Sequence, residues 1–317
     1  MSFYSEIFYK KIKNEPRILK EHLLEGFAFN YFNSEEKSRN PDWRVANNRQ
    51  WARNANFVSE LQEMAPRFQS KGIKPVLLKG IVLINDIYRE LGARQLSDID
   101  ILINLNEYQN VKEVLESFDY SEQELNKWQG DDFKSIFIKE GPLGQIVIEL
   151  HTRLFYHIKK EPDYTTIPFM TSPYLKLAIE ENLIHLMGHL VFQHNFGKLF
   201  WLIDIDLYIK KYRDEINWEK LIVLSKELKL QKSILMTFTV LFEQFETPIP
   251  PQIVESLGLK KFYIWKNFLN WNLLTSSTQV SFGYYFIKHL TKDHISTALQ
   301  YDLLWFRHKI KKTFFLK

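Results

Sequence analysis

The sequence predicts an α+β protein in which a small mixed β-sheet is flanked by helical segments. Apolar residues recur at helical spacing before residue 70 and after about residue 173, whereas short apolar runs typical of strands lie between these segments. Gly and Pro contribute only 11 residues each to a chain that is 45% hydrophobic, which favours long helices over a loop-rich all-β fold. We therefore expect an N-terminal helical segment over residues 1–70, a sheet-containing domain over 71–165 and a C-terminal helical domain over 166–317.

The composition excludes several classes of site and location. Because the chain has no cysteine, disulfides, thiolate zinc sites and cysteine nucleophiles are excluded, and any metal must be held by oxygen or imidazole ligands. The first residues mix acids and bases, and no segment reaches the roughly 18 apolar residues of a membrane span, so we expect a cytoplasmic protein. The net charge of +4 neither requires nor excludes a phosphate-bearing partner such as nucleic acid.

The elements before the acidic motif follow from apolar spacing and from Pro and Gly. One helical pattern covers residues 7–24, and a second helix is expected from about residue 43 to 68. Residues 75–78 form a short apolar run of the kind that buried strands have, and they end at Lys79-Gly80. A helix follows at once, with Gly92 expected as its C-terminal cap.

The next strand carries two acids. Residues 97–103 alternate acid and aliphatic before becoming fully apolar, as a strand does when one end of one face opens on a cleft. On such a strand Asp98 and Asp100 leave the same face with Cα atoms about 6.6 Å apart. A helix over residues 106–118, a strand over 133–139 and a hairpin turn at 140–144 are expected to follow.

The second strand of the hairpin, expected over residues 145–154, gathers Glu149, His151 and Arg153 on one face. After about residue 173 the pattern is helical, with a break at residues 248–251.

Clustered carboxylates suit a divalent cation. Mg²⁺ (or Mn²⁺) takes oxygen ligands and shares its shell with substrate phosphates, and two ions about 3.5–4 Å apart can hold both oxygens of an in-line displacement. Asp98 and Asp100 are the candidate ligands, and Glu149 is the candidate third acid, either as ligand or as catalytic base. The alternative, that an isolated Asp-x-Asp merely faces solvent, is weakened by the surrounding sequence.

That surrounding sequence offers phosphate contacts. Gly80 lets a phosphate approach the backbone, and the amides near Gly80 and Ile81 begin a helix whose dipole favours an anion. Lys79 adds a point charge. Arg94 is expected either to bind phosphate or to pair with Asp98.

Two residues of the hairpin strand are open to two interpretations. His151 and Arg153 are interpreted either as contacts to the acceptor or to phosphate, or as ordinary exposed strand residues.

These motifs together resemble the uncharacterised nucleotidyltransferase family of the DNA-polymerase-β-like superfamily. The resembling stretches are Val76 to Gly80, Tyr88, Arg94, Ser97 to Leu102, the acid-x-His strand from Ile148 to Leu154, and the helical part from His185 to Trp218. The resemblance covers about residues 72–230. It implies a polymerase-β-like palm over residues 71–165, with a metal pair on Asp98 and Asp100 and with Glu149 in the third acidic position.

The implied reaction transfers a nucleoside monophosphate from a nucleoside triphosphate such as ATP to a small-molecule, peptide or protein acceptor and releases pyrophosphate. One departure concerns the phosphate turn, which in the wider superfamily is usually Gly-Ser or Gly-Gly. Here Lys79-Gly80 leaves no hydroxyl after the glycine. Either Lys79 substitutes electrostatically, or the donor binds in another pose or is not a nucleoside triphosphate.

Weaker signals leave other interpretations open. His185 and His189 have the spacing of a zinc pair but lack a third ligand, so we expect them to face a cleft or to hydrogen-bond toward Asp204 or Asp206. The basic aromatic residues 305–317 are expected to dock on the body or, as the alternative, to contact a membrane surface. The remaining alternatives are a non-catalytic nucleotide-binding or interaction protein on the same scaffold and a membrane-surface accessory protein of a biosynthetic pathway.

Overall fold

The computed structural model describes residues 5–88, 90–123, 133–257, 269–276, 287–294, 296–299 and 302–303. Within these residues the chain has a mixed α+β fold built on one seven-stranded sheet, which confirms the predicted fold class. No described helix is both long and apolar enough to cross a membrane. The basic aromatic segment 305–317 lies outside the described residues, so its two interpretations stay predictions.

The N-terminal segment is helical but more broken than the sequence pattern suggests. Its helices are α1 (Glu6–Ile12), α2 (Pro16–Glu21), α3 (Glu25–Tyr31), α4 (Ser34–Arg39) and α5 (Pro41–Ser70). The long helix expected from residue 43 to 68 is confirmed as α5. The single helical pattern over residues 7–24 is wrong, because Pro16 begins a new helix and Leu23 adopts a positive φ of 59°.

Seven strands form the sheet in the order β3-β4-β5-β2-β1-β7-β6. They are β1 (Val76–Leu78), β2 (Ile99–Leu102), β3 (Ser121–Gln123), β4 (Lys134–Gly141), β5 (Gly144–His151), β6 (Thr166–Pro168) and β7 (Leu175–Leu177). The predicted hairpin is confirmed as the antiparallel β4–β5 pair, while β2 pairs in parallel with β5 and antiparallel with β1.

Three strands were not predicted, because each has only three residues and shows no period. The helical assignment after residue 173 is wrong for β7, which pairs in parallel with β1 before the next helix begins. With β6 and β7 the sheet continues past residue 165.

Eight further α-helices with defined bounds lie within the described residues. They are α6 (Lys79–Asp86), α7 (Tyr108–Glu116), α8 (Ile179–Phe192), α9 (Leu199–Lys211), α10 (Trp218–Glu227), α11 (Gln231–Phe245), α12 (Pro251–Ser256) and α13 (Trp271–Leu274). The break at residues 248–251 is confirmed between α11 and α12. The predicted cap at Gly92 is wrong, because α6 ends at Asp86 and Gly92 lies in a later 3-10 turn. There a Cβ atom would lie 2.2 Å from Oδ1 of Asn47.

Two hydrophobic cores divide the described residues. One packs α5 and α7 against the sheet and includes Phe57, Ile99 and Phe137. The other joins the N-terminal helices to the C-terminal ones, as shown by the rings of Phe8 and Phe245, which stack with centroids 4.7 Å apart. Helices from the two ends of the chain therefore share one core.

Asp86 at the end of α6 ties the sheet to α9. Its carboxylate accepts hydrogen bonds from Lys176 Nζ at 2.8 Å, Lys211 Nζ at 2.7 Å and Tyr212 OH at 2.7 Å. Burial favours the neutral acid, but the bonds from Lys176 and the other two partners lower the pKa of Asp86 below its ordinary value. The ionised carboxylate is therefore a stabilising group.

Asp86→Asn should destabilise the fold by about 3 kcal/mol at pH 7, because the buried Lys176 ammonium loses its counter-charge. Because the pKa of Asp86 is lowered in the folded state, its carboxylate stabilises the fold fully at pH values above its ordinary pKa. This stabilisation is lost as pH falls below 3.8. In urea unfolding, the difference in the free energy of unfolding between wild type and Asp86→Asn should be constant between about pH 5 and 7. It should become smaller as pH falls below about 5. The control Asp214→Asn, whose side chain is 96% exposed, should match wild type. A gap that vanishes at pH 7 would contradict this account.

Candidate active site

Strand pairing places two of the predicted acids side by side. In the parallel β2–β5 ladder Asp100 is registered directly opposite Glu149, so both side chains leave the same face of the sheet. Ligand atoms of Asp100, Glu149 and His151 all lie within 4.8 Å of one another. The strand expected to carry Asp98 begins one residue later, at Ile99, so Asp98 belongs to the preceding loop.

A buried ion pair forms the centre of this cluster. Lys79 Nζ donates to Asp100 Oδ1 at 2.6 Å, and His151 Nε2 lies 2.9 Å from the same oxygen. Lys79 is 8% exposed and Asp100 is 3% exposed. Burial alone would favour the neutral acid, but the Lys79 ammonium and then His151 hold the pKa of Asp100 well below its ordinary value.

Lys79 reaches this position through an unusual backbone. As the first residue of α6 it has a φ of +51°, a left-handed conformation that costs a non-glycine residue free energy. Leu78 is registered opposite Asp100, so the chain places Lys79 beside that acid. Burial would lower the pKa of Lys79, but the charges of Asp100 and Glu149 raise it. The lysine expected in a phosphate turn therefore neutralises the acid cluster.

The other two acids differ in their electrostatic environment. Glu149 Oε1 accepts a hydrogen bond from Lys134 Nζ at 2.7 Å, and its Oε2 lies 3.6 Å from His151 Nε2. Burial opposes ionisation of Glu149, but the bond with His151 and the charge of Lys79 lower its pKa. For Asp98, burial and then the charges of Asp100 and Glu149 raise the pKa to about 6.

A cleft of about 790 Å³, including its open mouth, lies between the sheet and helices α8 and α9. Its walls are formed by Lys79, Gly80, Arg94, Gln95, Ser97, Asp98, Asp100, Lys134, Glu149, Leu186, His189, Gln193, His194, Phe200, Trp201 and Asp204. The structure thus brings six of the predicted site residues to one cleft. His151 is not one of these wall residues, but it contacts Asp100.

Two predicted site residues lie elsewhere. Ile81 is 1% exposed and belongs to the core beneath the sheet. Arg153 follows the end of β5, so strand alternation no longer applies to it; its guanidinium donates to the Ile158 carbonyl at 3.1 Å. It lines a different cavity, beside Lys74 and Glu161. The prediction that Arg153 shares the face of Glu149 is therefore wrong.

Arg94 lines the cleft, but its guanidinium is committed to another acid. Nε donates to Asp204 Oδ1 and a terminal nitrogen to Oδ2, both at 2.8 Å, and Tyr88 OH donates to the same carboxylate at 2.7 Å. The predicted pairing of Arg94 with Asp98 is wrong. Gly80 makes room for this contact, because a Cβ there would lie 2.4 Å from an Arg94 terminal nitrogen.

Among the described residues, the one group of three or more side chains whose ligand atoms are close enough to hold a metal ion is Asp100, Glu149 and His151, and it includes neither histidine of α8. His189 Nε2 lies 3.2 Å from His194 Nε2. Asp204 accepts from Arg94 and Tyr88, and Asp206 accepts from Lys210 and Thr247, so the predicted bonds toward these aspartates are wrong. His189 does face the cleft, as the alternative predicted.

Burial and the nearby charge of Lys79 lower the pKa of His185, His189 and His194, and that of His194 falls to about 3. These imidazoles are therefore neutral at pH 7.

Sequence reasoning did not assign Lys134 or Trp201 to the site, and it named Asp204 only as a partner of the helix histidines. Lys134 could have been found, because the hairpin register pairs it with His151. Trp201 and Asp204 reach the cleft only through the packing of α9 on the sheet, which no local pattern reveals.

Comparison with known proteins identifies one protein family that this chain matches. A family model described as "Uncharacterised nucleotidyltransferase" matches residues 17–246, which is more than half of the 317-residue chain. The matched region includes the whole sheet and the cleft. Searches among curated proteins and among solved structures give no match.

Arg94→Met should destabilise the fold by about 3–5 kcal/mol, because it leaves the Asp204 carboxylate buried without its cation. Replacing both partners, as Arg94→Met with Asp204→Leu, removes the unpaired charge and should recover part of that loss. Urea unfolding of the wild type, both single variants and the double variant measures the coupling. A double variant less stable than either single variant would contradict the assigned ion pair.

Proposed function

The chain belongs to the uncharacterised nucleotidyltransferase family, and we propose that it transfers a nucleoside monophosphate group from a nucleoside triphosphate to an acceptor in a divalent-metal-dependent reaction. The observation that carries the proposal is the register of Asp100 opposite Glu149 in a cleft that also holds Asp98 and Lys79. On this proposal residues 71–165 form a polymerase-β-like palm, whose sheet β6 and β7 extend, and helical units over 1–70 and 166–317 flank it.

The donor set fits a hard divalent cation. The carboxylates of Asp100 and Glu149 are close enough to share one ion, and Asp98 lines the same cleft. Carboxylate oxygens are the ligands that Mg²⁺ and Mn²⁺ prefer. Such an ion would neutralise charge that develops on the phosphate oxygens. We assign Asp98, Asp100 and Glu149 as its ligands. His151, which contacts Asp100, would orient that carboxylate.

The residues of the chain supply positioning and proton transfer. In the proposed reaction an acceptor oxygen, or an amine nitrogen, forms a bond to the α-phosphorus while the bond from that phosphorus to the bridging oxygen breaks and pyrophosphate leaves. On this proposal Glu149 takes the proton from the acceptor. Lys79 and the amides that begin α6 hold the donor phosphates. Most of the acceleration would come from positioning and charge neutralisation.

Asp100→Asn should lower Mg²⁺-dependent label transfer from α-labelled nucleoside triphosphates by more than about 100-fold, because it removes a ligand charge at the centre of the cluster. The assay measures pyrophosphate release and transfer of label to candidate acceptors, using each triphosphate in turn. Asp214→Asn, with a 96% exposed side chain, is the matched control and should keep wild-type activity.

An Asp100→Asn variant as active as wild type would overturn the proposal. Nucleotide binding with no turnover for any acceptor class would instead favour a non-catalytic nucleotide-binding protein on this scaffold.

Lys79→Met should tighten Mn²⁺ binding by about ten-fold, because the ammonium and the ion compete for the Asp100 carboxylate. Calorimetric titration measures the affinity, and thermal unfolding with and without Mn²⁺ should show a larger stabilisation by the ion in the variant. Lys74→Met, at an exposed lysine of the other cavity, is the control. Weaker Mn²⁺ binding in Lys79→Met than in wild type would show that the two cations do not compete.

A further inference from the structure

Aromatic side chains form the wall of the cleft that faces the acids. This aromatic wall consists of His194, Phe200 and Trp201, from the start of the α8–α9 connection and the first turn of α9. The rings of His194 and Trp201 stack with centroids 3.6 Å apart and planes 21° apart, and the ring of Phe200 lies 4.6 Å from that of Trp201. All three side chains are only half-buried.

Neighbouring residues fix the wall in place. The Arg94 guanidinium lies over the ring of Phe200, 5.1 Å from its centroid, and Arg94 is itself held by Asp204. His189 contacts His194 from α8 through the 3.2 Å nitrogen contact. Because the same Arg94–Asp204 ion pair joins the sheet to α9, the position of the wall relative to the acids is set by a buried contact.

The chemistry of phosphate and metal binding gives no reason for this wall. The acids can bind a metal ion, and Lys79 and Lys134 can bind phosphate, so these functions need only charged side chains. The neutral imidazole of His194 stacked on the indole of Trp201 instead offers a flat apolar surface. Phe200 and Trp201 pack against the hydrophobic core on one side, but all three rings remain partly exposed inside a polar cleft, which core packing alone does not require. A planar ligand with a π-face is what such a surface binds best.

We propose that the aromatic wall binds the base of the nucleoside triphosphate by stacking. This inference rests on the proposed function, which places the phosphates at Lys79 on the sheet side of the same cleft. A base on the wall and phosphates at Lys79 would orient the α-phosphorus between the two sides. Gln193 and His189 line the cleft beside the wall and carry polar atoms suited to hydrogen bonds with the edge of the base.

The test compares ligands with and without a base. Calorimetry measures the binding of non-hydrolysable α,β-methylene nucleoside triphosphates and of inorganic tripolyphosphate, each with Mg²⁺, to the full chain. The variants are Trp201→Ala, Trp201→Phe and the matched control Trp51→Ala, which replaces a 50% exposed tryptophan of α5. Circular dichroism and thermal unfolding verify that each variant is folded.

Trp201→Ala should weaken binding of the nucleotide analogues by roughly ten-fold or more while leaving tripolyphosphate binding unchanged. Trp201→Phe keeps an aromatic face and should retain most of the affinity, which also keeps the test valid should the alanine variant fail to fold. Trp51→Ala should match wild type for both ligands.

If Trp201→Ala lost affinity equally for both ligands, or lost no affinity for the nucleotides, the stacking proposal would be overturned. The proposed phosphate site would not be affected by either result. Wild-type protein that binds neither nucleotide nor tripolyphosphate would overturn the proposed function itself.

Discussion

The contact between the Lys79 ammonium and the Asp100 carboxylate is the interaction around which the candidate site is organised. Two charges removed from water are tolerated only when each has a close partner, and here the bond is 2.6 Å long. The neighbouring acid meets the same requirement, because the Glu149 carboxylate accepts a hydrogen bond from the Lys134 ammonium. These four side chains come from α6, β2, β4 and β5, so a slip of any strand by one residue would leave a buried charge unpaired.

A second buried ion pair sets the opposite wall of the cleft. Arg94 and Asp204 are 110 residues apart in the chain, yet their bidentate contact joins the loop before β2 to α9. The Asp86 network makes a similar connection at the other end of α6. The sheet and the C-terminal helices are therefore held together by charges on both sides of α6, and the cleft is the space that remains between them.

The sequence was informative wherever the signal was local. Alternation identified β2 and β5, and the parallel register then brought Asp100 and Glu149 together as expected. Failures occurred where packing decided the outcome. The expected alternative of an Arg94–Asp98 pair was wrong, because the partner of Arg94 is Asp204, which lies on a helix whose approach to the sheet no short pattern encodes. Arg153 was assigned by extending β5 beyond His151, where the strand ends.

On the proposed function, the position of Lys79 gives a physical reason for the departure of its turn from the Gly-Ser pattern. A hydroxyl can only contact phosphate, whereas an ammonium can also neutralise Asp100 before any ligand arrives. The Lys79 ammonium has three N–H donors, one of which lies on Asp100 at 2.6 Å, and a cation that took over Asp100 would free that donor and its charge for the donor phosphates. Metal and nucleotide binding would then favour each other through this single side chain.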